Sequence, residues 1–151
     1  MRKYLNDIGI KEDETCIPNS ADTSDERMPR FLEQREKYGF DERETWSLEF
    51  TFACWLYEHL MMYLEIADNT INLSFHKFKI PVIQEQNKEF DYETVKDNIK
   101  YEETTQKECI ELCIDYLKKY FETNREMDER SDAYLRIAIE IFSIISPAMW
   151  W

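Results

Sequence analysis

The residues best typed for chemistry are two pairs of carboxylates, Glu108-x-x-Glu111 and Glu129-x-x-Asp132. Acids three residues apart share one side of a helix, and two such pairs can bridge Mg²⁺ for nucleotide hydrolysis. A pyrophosphatase-like site of this kind asks for E-E-x-x-E on one helix and E-x-x-D on the next. Here Lys107 stands where the first acid belongs. Glu108, Glu111, Asp115, Lys118, Lys119 and Glu122 also fall together at helical spacing as one polar face. A metal pocket needs acids turned inward; this pattern turns them to water.

Other chemistry is weaker. Cys109 and Cys113 stand one helical turn apart, and His59 and His76 would bring the donors to four. Both cysteines share their helix's apolar side, where a free thiol serves as a small hydrophobe. Neither a G-x-S-x-G elbow nor a glycine-rich phosphate loop is present in a chain with two glycines. Cys54 falls among acids and hydroxyls, the opposite of the cationic setting that activates a thiol. No catalytic residue, cofactor or metal is therefore expected. Glu49 and His59 project from apolar faces, and a buried Glu49 would need a base such as Arg35. Trp150-Trp151 either packs back over the last helix, the preferred reading, or anchors a partner or a second copy of the chain.

The elements that position these residues are mainly helical. Residues 1–28 read as a polar arm or loop, with Tyr4, Leu5, Ile8 and Ile10 able to form one short element. Residues 29–151 read as a single helical domain. Pro29 opens a short helix that Gly39 ends after Tyr38. Asp41-x-x-Glu44 has the form of a capping box before a helix from about Glu42 to Ala67. That segment is apolar around most of its circumference, with one polar stripe at Ser47, Thr51, Cys54, Glu58 and Glu65, so it should be the central buried helix. Ile71–Phe75 and Phe78–Val82 alternate in opposite phase, as two short strands with a break at His76-Lys77 or as an extended connection; Pro81 argues against a central strand. Tyr92–Ile99 is a weak helix candidate. Thr105-x-x-Glu108 caps a helix from Gln106 to about Glu122, and a last helix runs from about Asp132 to Ser146 before Pro147. The fold class is mainly α: a compact helical bundle around a central buried helix, with a short two-stranded hairpin as the minor element.

Charge bounds the partners. The 151 residues carry 32 acids and 19 Lys or Arg, a net charge of −13. Direct binding to nucleic acid or to an anionic membrane is disfavoured, whereas a basic protein partner is attracted with salt-sensitive association. Residues 41–70 hold seven acids against one base, and residues 101–151 hold eleven against six. The contact acids expected are therefore Asp41, Glu42 and Glu44 together with Glu108, Glu111, Asp115 and Glu122. The opening MRKYLNDIGI has no apolar signal region, and four cysteines in so core-rich a chain do not read as a disulfide framework. The expected setting is cytoplasmic, with reduced thiols.

The segment Tyr38-Gly39-Phe40-Asp41-Glu42-Arg43-Glu44-Thr45-Trp46-Ser47-Leu48, continuing through Trp55-Leu56-Tyr57-Glu58, resembles small proteins encoded by phages and prophages of Gram-positive bacteria. The resemblance returns at Leu73-Ser74-Phe75-His76-Lys77-Phe78 and at Pro147-Ala148-Met149-Trp150-Trp151, and covers about a third of the chain. That family has no assigned activity, so no functional residue carries over. The resemblance implies a host bacterial cytoplasm and a protein that acts by occupying a host nucleic-acid-handling or defence protein, as anti-CRISPR proteins do when they mimic nucleic-acid charge. A Mg²⁺-dependent hydrolase and a virion or assembly component are the alternatives.

Overall fold

The computed structural model describes residues 3–11, 25–84 and 98–150. The described elements are α1 (Lys3–Asp7), α2 (Met28–Tyr38), α3 (Leu48–Ala67), β1 (Lys77–Ile83), β2 (Ile99–Thr105), α4 (Gln106–Arg125) and α5 (Arg130–Ile145). Short 3-10 turns occupy Glu42–Thr45 and Ser146–Ala148. The molecule is mainly α with one small antiparallel sheet, as its sequence pattern predicts. By contacts the chain divides into two compact units, Met1–His59 and Leu60–Trp151.

In the first unit Pro29 lies in the opening turn of α2, where its missing N–H goes unmissed. Gly39 closes that helix in the left-handed region, φ 81°, and its N–H donates to the Arg35 carbonyl. The capping box expected at Asp41 does not form. Asp41 accepts from the N–H of Arg43, and the segment makes a 3-10 turn before α3 begins at Leu48. The Glu44 side chain, which would have completed the box, is bound by Arg35 instead.

α3 presents a different side from the one its pattern suggests. Thr51 and Cys54, assigned to a wet stripe, are buried. Glu58 on the same stripe accepts a hydrogen bond from the N–H of Leu5 at 2.9 Å. The first turn of a helix has N–H groups without partners, and a carboxylate from α3 satisfies one of them in α1. With Thr51 and Cys54 turned inward, apolar residues lie outside: Leu48, Trp55, Met62 and Ile66 are exposed.

In the second unit α4 and α5 pack along each other, and α5 also lies on β1. α4 opens with the expected capping box: Thr105 accepts from the Glu108 N–H, and the Glu108 carboxylate accepts from the Thr105 N–H. The apolar face read from the sequence, from Cys109 and Ile110 through Tyr120 and Phe121, is buried throughout. The hairpin exists with a different second strand. β1 pairs antiparallel with β2 in the register Lys77↔Thr105 to Ile83↔Ile99, with Pro81 opposite Tyr101. Residues 71–76 form turns rather than a strand. The hydroxyl of Tyr116 in α4 accepts from the Ile83 N–H at 2.8 Å and so ties the strand to the helix. The helix candidate at Tyr92–Ile99 lies outside the described residues up to position 97, and Ile99 begins β2.

Candidate functional site

The contact acids predicted from the sequence separate into three groups. Asp41 is fully buried, so no partner reaches it. Its carboxylate receives Arg35 Nε at 2.6 Å and is gripped by Arg43 through both Nε and Nη2. The bonds from the two guanidiniums, Arg43 foremost, hold its pKa at about 2 against the usual 3.8. Glu42 is bound by Arg30 and Gln34, and Glu44 by Arg35. This cluster joins α2 to the 3-10 turn and is architecture. Its dense local acidity looked like a surface in the sequence because two of the arginines that neutralise it, Arg30 and Arg35, come from α2, and Arg43 in the turn itself folds back onto Asp41.

Glu108 forms the second group. It is exposed, but its carboxylate closes the start of α4 by accepting from Thr104 and Thr105. Those bonds, led by that from Thr104, lower its pKa. The third group keeps the predicted outward orientation. Glu111, Asp115 and Glu122 are exposed along the outer face of α4, with Asp115 one turn from Lys119 at 3.4 Å.

The paired carboxylates do not converge. Glu108 and Glu111 sit near the start of α4, whereas Glu129 and Asp132 flank the start of α5, beyond the other end of α4. A helix of 20 residues is about 30 Å long. Glu129 and Asp132 line an open depression of about 480 Å³ with Asn124, Met127, Asp128 and Ser131, and Asp128 is bound by Arg130. Among the described residues no three His, Cys, Asp or Glu side chains are arranged to hold a metal ion. Cys109 and Cys113 are buried, as the apolar face requires, and burial raises their thiol pKa values to about 11 and about 12.

Two further assignments change, those of Glu49 and Trp150. Glu49 is exposed and does not meet Arg35, whose partners are Asp41 and Glu44. His59 is also exposed; its Nδ1 bonds the Trp55 carbonyl oxygen at 2.6 Å, and its ring stacks on that of Trp55 at 4.1 Å. Trp150, expected to pack on the last helix, is 78% exposed, and Trp151 lies outside the described residues.

Sequence reasoning missed the outer side of α3. Leu48, Phe52, Trp55, His59, Met62 and Ile66 follow one another at alternating spacings of four and three residues. Leu48 is 65% exposed, Trp55 42% and Met62 54%. Phe52 stacks on Trp55 at 6.0 Å, extending the Trp55–His59 pair into a surface row of three rings. The spacing was legible in the sequence, but a core-facing stripe has the same spacing.

No protein-family model, curated protein or solved structure matches this chain. Among the described residues no helix is long and apolar enough to cross a membrane.

Proposed function

We propose that this chain is a non-enzymatic, phage-derived binding protein that occupies a basic nucleic-acid-handling or defence protein of a bacterial host. The observation that carries the reading is the outer face of α4, where Glu111, Asp115 and Glu122 meet solvent on a chain of net charge −13. The net charge repels nucleic acid and steers the chain toward a positively charged groove, and Glu111 and Glu122 supply carboxylates at the surface beside the Asp115–Lys119 pair. Part of the chain's basic charge is already engaged internally: Arg27, Arg30, Arg35, Arg43 and Arg130 each pair with a nearby acid. The phage origin rests on the sequence resemblance alone.

The test is affinity capture from host lysate at low and at high salt, followed by competition with DNA for the captured protein. A salt-sensitive, nucleic-acid-binding partner is expected, displaced by DNA and lost when Glu111, Asp115 and Glu122 are all changed to Lys. Retained capture by the triple variant, or a partner indifferent to DNA, would reject the reading.

A further inference from the structure

Gln106, the first residue of α4, ties together two distant segments of the second unit. Its N–H donates to the His76 carbonyl at 2.9 Å, and its buried side-chain amide donates to the Ala148 carbonyl at 3.3 Å. The Lys107 N–H adds a bond to the Leu73 carbonyl. The opening N–H groups of a helix lack partners within it, and here Leu73 and His76 satisfy two of them. Each tethered segment carries a ring turned to solvent: Phe75 is 77% exposed and Trp150 78%. The His76 ring meets that of Phe75 edge-on, with centroids 5.1 Å apart. Aromatic groups on backbone already fixed lose little freedom when covered, which suits them to anchor a contact.

Charge says what covers them. At a net charge of −13 a second copy is repelled from most approaches. Around Phe75 the acids are missing: residues 69–84 contain Lys77 and Lys79 and no Asp or Glu. The bordering acids are already engaged, Asp68 by Lys107 and Glu108 by the hydroxyls of Thr104 and Thr105. A basic protein meets lysines here and gains nothing. An acidic protein meets no repulsion, and this chain is one.

We infer that this surface seats a second copy of the chain in a two-fold contact, with Phe75 of each copy packed against Trp150 of the other. Such a contact uses every group twice. Its four rings would cover about 500–750 Å², about half of what the smallest specific interfaces bury. Exposed His76 and half-buried Met149 extend the contact beside them. A weak, reversible dimer is the result. The inference is independent of the outer face of α4, which stays free for another partner.

The experiment is sedimentation velocity on the full chain, from micromolar to near-millimolar concentration, at low and at high salt. A monomer–dimer equilibrium is expected, strengthened by salt because screening removes the repulsion between two acidic copies. Phe75→Asp and Trp150→Asp should each weaken the dimer about tenfold or more. Both sites are exposed, so circular dichroism and the thermal midpoint should stay unchanged. A monomer at every concentration overturns the inference, as does a dimer indifferent to both substitutions or one weakened by salt. Phe75→Asp should leave salt-sensitive capture through α4 intact, so either reading can fail while the other stands.

Discussion

Arg43 and Asp41 form a two-pronged ion pair, with Nε donating to Oδ1 at 2.9 Å and Nη2 to Oδ2 at 2.8 Å. Arg35 adds a third bond to the same carboxylate. Removing one partner of a buried pair leaves the other's charge uncompensated, which is why such pairs are costly to break. Asp41→Asn should lower stability by about 2–3 kcal/mol at neutral pH. The pH dependence has a definite sign. The folded pKa, about 2, lies below the ordinary 3.8, so the contribution is complete above about pH 4 and lost as pH falls through about 2. Urea unfolding across that range should show the gap between wild type and variant closing toward the acid end. Glu49→Gln, at an exposed site, should shift stability by less than about 0.5 kcal/mol.

Thr51 offers a gain. Its hydroxyl is buried and finds no hydrogen-bond partner among the described residues. Thr51→Val keeps the shape and replaces the hydroxyl with a methyl group, so it should raise stability by about 1 kcal/mol. A lower thermal midpoint would mean that the hydroxyl is satisfied after all.

Tyr116→Phe should do the reverse. The substitution leaves the Ile83 N–H without its acceptor in a buried setting, at a cost of about 1–3 kcal/mol. Hydrogen exchange should locate the effect, with the Ile83 amide losing protection well before the amides of the α4 interior.

Thiol reactivity gives a fourth check. Cys54, Cys109 and Cys113 are buried free cysteines, and burial keeps Cys109 and Cys113 protonated far above neutral pH. Maleimide attacks the thiolate. A Cys16→Ser variant should therefore label negligibly under native conditions and at three thiols once denatured. Rapid native labelling at Cys109 or Cys113 would show that the α4 and α5 pair opens readily.

Periodicity revealed most where it was one-sided. α4 alternates clear apolar and polar faces behind a matched Thr105–Glu108 cap, and its start, its buried side and its outward acids were all legible. α3 is apolar almost all round, so no pattern could say which side faces in. The deciding fact is remote in sequence: Glu58 is drawn inward by the Leu5 N–H, 53 residues away. Asp41 misled for a similar reason, because the arginines that bury it come from α2 and from the 3-10 turn itself. β2 escaped notice because Ile99–Thr105 lacks alternation, being exposed through its middle. Its pairing with β1 depends on tertiary placement rather than on local preference.

The hairpin's composition bears on behaviour at high concentration. A ribbon of two strands offers unused backbone groups to any extended chain that approaches, and that is how fibres nucleate. Exposed Lys100, Glu102 and Glu103 line β2, and Pro81 in β1 contributes no N–H. An incoming copy would have to bring like-charged glutamates together to add a further strand. Concentrated solutions should therefore stay clear, with no thioflavin-binding aggregate on prolonged storage, and neutralising Glu102 and Glu103 should erode that protection.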